Sequence, residues 1–149
     1  MNIRTATPAD APTITDFNLR LARETEELEL DLKTVTAGVA GLLCDSSRGV
    51  YFVAEIDGQI AGQLCITYEW SDWRNGNIWW IQSVYVKQEF RGRGIFSSLC
   101  GHLEKLAAQE KDVCGLRLYM EKDNERARRA YEKLGLRQTH YVVFEKMLR

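Results

Sequence analysis

The stretch Lys87–Ser98, KQEFRGRGIFSS, constrains this chain more than any other. Ahead of it lies the mostly apolar run Ile78–Val86. Behind it Ile95, Leu99, Leu103 and Leu106 recur at the spacing of one helical face. A strand that passes through a glycine turn into a helix presents the unpaired amides of the first helical turn, with the positive end of the macrodipole behind them. Such an arrangement holds a phosphate without a metal. Gly92 and Gly94 remove side chains where backbone must approach the anion, and Arg91 and Arg93 add formal charge.

The turn fits no nucleotide motif. A P-loop requires Lys-Ser/Thr after its glycines, and the dinucleotide fingerprint requires a third glycine where Ser97 stands. With a net charge of -1 the chain has no global field for nucleic acid, so any anion site must be local. Taken alone, the tetrapeptide also reads as a solvated arginine turn. The 149 residues suit one domain, and no long apolar run suggests a membrane span. Cys44, Cys65, Cys100 and Cys114 are scattered without paired spacing among only two histidines. They read as buried free thiols of a cytoplasmic protein, with no metal site.

Around the turn the pattern alternates between strands and helices. Asn2–Ala6 reads as a strand, and a helix opening at Pro8 and Asp10 carries Ile14, Phe17, Leu21 and Leu28. The acidic stretch Glu24–Asp31 reads as a solvated face, and a second helix spans about Lys33–Cys44. Val50–Ile56 and Gln59–Tyr68 flank Asp57-Gly58, a strong hairpin signal. Trp70–Asn77 reads as a polar aromatic loop. After the long helix come a strand at Gly115–Glu121, a helix at Asn124–Leu134 capped by Gly135, and a last strand or strand pair from Leu136 to about Met147. This order predicts an α/β fold, a mixed sheet with helices on both faces.

A second constellation lies in DNERARRAYEKLGL, residues 123–136. Asn124, Ala127, Tyr131 and Leu134 share one helical stripe. By itself this is an N-cap and an amphipathic core face. Together with Val84-Tyr-Val86 and Arg91-Gly-Arg-Gly94, the chain resembles the GNAT superfamily of acetyl-CoA-dependent N-acetyltransferases along its whole length. The resemblance implies one N-acetyltransferase domain over residues 1–149, with a mostly antiparallel mixed sheet and a splayed central strand pair. It implies that the backbone of Ser83, Val84, Tyr85 and Val86 pairs with the pantetheine arm of acetyl-CoA. Arg91, Gly92, Arg93, Gly94, Ile95, Phe96 and Ser97 would hold the pyrophosphate. Asn124 would lie near the thioester and Tyr131 beside the sulfur, and Ala127 would belong to the cofactor site. The superfamily prefers a small residue where Phe96 stands, so Phe96 must turn away from the pyrophosphate.

The expected chemistry is acetyl transfer to an amine, an acyltransferase reaction. An alkylammonium titrates near about 10, so a base or water relay must take its proton before attack. A tyrosine hydroxyl is suited to protonate the departing thiolate, which makes Tyr131 the expected general acid. The splayed strand offers Gln82 and Ser83 rather than a carboxylate. The base is therefore Glu69, then Asp72, or a water chain ordered by Gln82 and Ser83. Glu69, Trp70, Asp72, Trp73 and Gln82 form the expected acceptor site, two carboxylates and indole rings suited to a cation. Trp79 and Trp80 read equally as core, and His140 and Tyr141 are further candidates for the pocket wall. A small primary amine ranks above a peptide or protein amine. Nucleic acid and membrane are not expected partners, and a homodimer is carried over from the resemblance. A non-catalytic acyl-CoA-binding regulatory module is the competing reading.

Overall fold

The computed structural model describes residues 1–149, in two compact units, Met1–Tyr119 and Met120–Arg149. The first unit holds strands β1 (Asn2–Thr5), β2 (Val50–Ile56), β3 (Gln59–Ser71), β4 (Gly76–Val86) and β5 (Val113–Leu118). With them are helices α1 (Ala11–Glu26), α2 (Leu32–Leu43) and α3 (Ile95–Gln109). The strands lie in sequence order, antiparallel except for the parallel pair β4–β5. This is the mixed, mostly antiparallel sheet expected from the sequence.

Alternation along β2 divides the core in two. Tyr51 and Val53 point to one face, where they join Cys65, Ile14 of α1 and Val39 of α2. Phe52 points to the other, where its ring meets His102 of α3 edge-on at 5.5 Å. Helices therefore cover both faces. Local chemistry sets the joints. Asp57 and Gly58 take positive φ of 49° and 76°, as a tight hairpin requires. Asp31 caps α2 by accepting from the Thr34 amide at 2.8 Å and its hydroxyl at 2.6 Å.

Several boundaries differ from the sequence reading, among them β5, which runs over Val113–Leu118 rather than Gly115–Glu121. Helix α1 ends at Glu26 because Glu27 turns left-handed (φ 51°), which leaves Leu28 outside the helix and exposed. The aromatic loop is shorter than expected. Trp70 and Ser71 pair with Asn77 and Gly76 as strand, and only residues 72–75 turn, with Asn75 at φ 48°. The expected last strand over Leu136–Met147 is absent, and residues 136–149 form neither helix nor strand.

In the second unit, helix α4 runs from Glu125 to Lys133. Asn124 caps it, accepting from the Ala127 amide at 3.1 Å. Its far end closes as expected at Gly135 (φ 83°): the Gly135 amide donates to Glu132 and the Leu136 amide to Tyr131, each at 3.0 Å.

Candidate active site

The site begins where β4 loses a neighbour. β4 pairs with β5 only from Asn77 to Ile81, while its pairing with β3 continues to Val86. From Gln82 to Val86 one edge of β4 is therefore open, and this is the splay. At the same point the strand bulges. Cys65 pairs with Gln82 and Gln63 with Tyr85, so β4 holds one residue more than β3 opposite it. Ser83 absorbs the kink at φ 51°. The bulge also changes the alternation, which puts Gln82 and Tyr85 on the same face.

A buried polar chain holds the bulge. Gln63, fully buried, donates through Nε2 to the Ser83 carbonyl at 3.1 Å and to Asn18 Oδ1 at 2.8 Å. Asn18 in turn donates to the Tyr51 hydroxyl at 3.0 Å. Burial pushes the Tyr51 phenol above its ordinary range and the Cys65 thiol up to about 11. Because the peptide is trans, a Ser83 carbonyl drawn toward Gln63 turns the Val84 N–H the opposite way. Gln63 Oε1 has no partner. The sequence signal for this cluster was a lone glutamine inside the apolar run Ala61–Ile66, since a buried amide must find bonds.

Beyond β4 the chain enters the glycine turn. Gly92 and Gly94 take φ of 78° and 72°, with open space where a side chain would stand. Helix α3 starts directly after the turn, with Gly94 as its N-cap, and its first intrahelical bond runs from the Ser98 amide to the Gly94 carbonyl at 2.9 Å. Ile95 is buried, Phe96 half-buried and Ser97 exposed. Arg93 lies over the Phe90 ring at 5.3 Å. Arg91 is braced from three sides. Its Nε donates to the Val86 carbonyl at 2.9 Å, Nη2 meets Glu24 Oε2 at 2.5 Å, and the guanidinium lies 5.6 Å from the Tyr85 ring. Tyr85 completes the contact by donating to Glu24 Oε1 at 2.9 Å. Burial works to raise the Glu24 carboxyl, but the Arg91 and Tyr85 bonds prevail and hold it below the usual range. Burial and the Glu24 bond raise the Tyr85 phenol. The sequence reading assigned Glu24 to a solvated face and so missed this role.

The expected acceptor residues divide between the faces. Glu69 and Gln82 share the α1–α2 face of the sheet with Thr67, Trp80 and Arg117. Glu69 Oε2 accepts from Arg117 Nη1 at 2.8 Å, and Gln82 donates to the Thr67 hydroxyl at 2.5 Å. The Trp80 ring lies 4.5 Å from that of Tyr119. Trp70 points to the opposite face, with Tyr68 and Trp79. Asp72 and Trp73 sit in the exposed turn, Trp73 at 84%. The structure thus puts Glu69 and Gln82 on one face of the sheet, each with its own partner, Trp70 on the other face, and Asp72 and Trp73 in the turn. In the second unit Asn124 is occupied as an N-cap, and Ala127 and Tyr131 share a half-buried stripe of α4. No group of three or more His, Cys, Asp or Glu stands close enough to hold a metal ion.

An open central strand running into a glycine turn and a helix N-terminus defines an acyltransferase, and residues 17–136 match the acetyltransferase (GNAT) family. The chain belongs to that family, as its motifs suggested. Over 145 residues it is 32% identical to thialysine N-epsilon-acetyltransferase of Bos taurus, covering 89% of this chain and 82% of that one. Among solved structures it is similar to a possible acetyltransferase from Clostridium difficile 630. That chain shares 42% identity at a TM-score of 0.93, with 99% of this chain and 97% of that one covered. A predicted acetyltransferase from Clostridium acetobutylicum, solved with acetyl-CoA, has the same fold at 21% identity. Its TM-score is 0.79, over 99% of this chain and 96% of that one.

Proposed function

We propose that this acyltransferase moves the acetyl group of acetyl-CoA to a primary amine by direct attack in a ternary complex, with residues 1–149 acting as one domain. The observation that carries the reading is the open edge of β4 at Gln82–Val86, which leads through the single 3-10 turn Gln88–Phe90 into the Gly92–Gly94 turn and the start of α3. Ser83, Tyr85 and Val86 offer backbone to the pantetheine arm. The turn from Arg91 to Ser97 receives the pyrophosphate, and Asn124, assigned to the thioester, and Ala127 complete the set of cofactor residues. The Val84 amide, turned away from Gln63, donates to the thioester carbonyl as negative charge develops on it.

In the reaction the amine nitrogen forms its bond to the acetyl carbon, the C–S bond breaks, and the thiolate takes a proton from Tyr131. The proton of the amine leaves through Glu69 or through water held by Gln82 and Ser83. One Glu69 oxygen is engaged by Arg117, which leaves the other to accept from an ammonium. A small amine is the favoured acceptor over a peptide or protein amine. The Bos taurus relative, named for the side-chain nitrogen of thialysine, supports this ranking. Four free cysteines suit the cytoplasm.

Release of free thiol from acetyl-CoA, measured against a panel of lysine-like small amines and a lysine-containing peptide, tests the assignment. The expected result is turnover with at least one small amine and a slower rate with the peptide. Equal inertness toward every amine, with acetyl-CoA bound, overturns it.

A further inference from the structure

Two neighbouring rows of residues cross strands β3, β4 and β5. Glu69, Ile78 and Gly115 form one, and Thr67, Trp80 and Arg117 form the next. Glu69 and Arg117 therefore stand two strands apart and one row out of step, yet Arg117 Nη1 reaches Glu69 Oε2 at 2.8 Å. Gly115 leaves open space at the β5 end of the row that Glu69 occupies. Holding two long side chains across three strands costs rotamer freedom. With the side chains 26% and 42% exposed, the pair adds little stability against that cost.

The pair is also only half used. A guanidinium carries five donors, and a carboxylate has two acceptor oxygens. Nε and Nη2 of Arg117 and Oε1 of Glu69 make no bond. Spare capacities of opposite sign, side by side, fit a molecule that carries both charges. Trp80 lies beside Arg117 in register, and its ring, 4.5 Å from that of Tyr119, offers an apolar flank for the carbon chain between those charges.

We propose that Arg117 sets acceptor specificity: it binds a carboxylate of the acceptor while Glu69 takes the ammonium, so the acceptor is a short amino acid rather than a plain amine. The inference rests on the acetyl transfer proposed above and leaves its bond changes as they stand; the carboxylate makes and breaks no bond. Because the two side chains touch, the charges they take must stand a few bonds apart in one molecule, which selects α- to γ-amino acids. The same guanidinium repels a second ammonium, so diamines are poor acceptors.

Thiol release from acetyl-CoA, compared for glycine against methylamine, β-alanine against ethylamine and 4-aminobutanoate against propylamine, tests this. The expected result is a kcat/KM about 10- to 100-fold higher for at least one amino acid than for its matched amine. In Arg117→Gln that ratio falls toward one through the KM of the amino acid, whatever happens to the rate that both acceptors share through Glu69. Should that variant fail to fold, Arg117→Lys, which keeps the charge but loses the fork, is expected to lower the ratio. Wild-type turnover of every plain amine as fast as its amino acid overturns the proposal and leaves amine acetylation standing. So does a preference that survives the substitution. If no acceptor of either kind releases thiol, the acetyl transfer itself fails, and calorimetry on the CoA-saturated protein decides the specificity. Amino-acid binding lost in Arg117→Gln upholds it; binding that is absent, or that survives the substitution, overturns it.

Discussion

Glu24, near the end of α1, and Arg91, at the start of the glycine turn, are joined by an ion pair of 2.5 Å across 67 positions of sequence. Tyr85 completes the contact from the central strand. The pair links the first helix to the turn proposed to receive the pyrophosphate, so it orients Arg91. Both side chains are more than a third exposed, and an exposed pair of this kind contributes about 0.2–1 kcal/mol of stability. Glu24→Gln should therefore leave the melting temperature nearly unchanged. It should still weaken acetyl-CoA by roughly 3- to 10-fold, which is about 0.6–1.4 kcal/mol, because the guanidinium loses its brace. Calorimetry on both proteins reads this directly, and an unchanged Kd would reduce the pair to a surface contact.

Gln63 fixes the peptide that follows Ser83. Replacing it with leucine keeps the volume but strands Asn18 and the Ser83 carbonyl, a loss of about 1–3 kcal/mol of stability. If the Val84 amide supports the thioester carbonyl, kcat for Gln63→Leu falls by on the order of 10- to 100-fold, while the KM for acetyl-CoA moves little. A rise in KM with kcat intact would instead assign Gln63 to cofactor binding alone.

Much of this fold was legible because its signals are local. Asp57-Gly58, the Asn124 cap, Gly135 and the apolar spacing of α3 each act over a few residues, and each stands where the sequence put it. Contacts between distant segments were not legible. Glu24 looked like part of a solvated acidic face because its partners lie at positions 85 and 91. Trp70 looked like a neighbour of Glu69, yet strand alternation sends the two to opposite faces once β3 continues to Ser71. The tail reads as strand in sequence, yet residues 136–149 form none, because strand composition is local whereas pairing is not.

Asp10 predicts an acid limit to stability. It is buried, and the bidentate Arg4 guanidinium, aided by the Thr7 amide and hydroxyl, holds its carboxyl at about 2, below an ordinary value of 3.8. A carboxyl depressed in the folded state stabilises it above the unfolded value, and that contribution fades as pH falls from about 4 toward 2. Its size at neutral pH is about 2 kcal/mol. Denaturant titrations of wild type and Asp10→Asn should differ by that amount at pH 7 and converge near pH 2. Parallel curves across that range would contradict the assignment.

The cysteines divide into two pairs. Burial pushes the Cys100 thiol up to about 12 and Cys65 to about 11, whereas Cys44 and Cys114 are exposed, against the expectation that all four are buried. A thiol reagent at pH 8 should modify Cys44 and Cys114 in the folded protein and reach the other two only on unfolding. Mass spectrometry of the native reaction counts them; rapid labelling of Cys65 would mean that the core beside the Ser83 bulge opens readily.

The most direct test of the central claim is calorimetric titration of acetyl-CoA into the wild-type protein and into Arg91→Ala. The open edge of β4 and the glycine turn predict micromolar binding with one site per chain, weakened by the substitution. A folded wild-type protein that takes up no acetyl-CoA at two temperatures would contradict the account and leave the turn as structure alone.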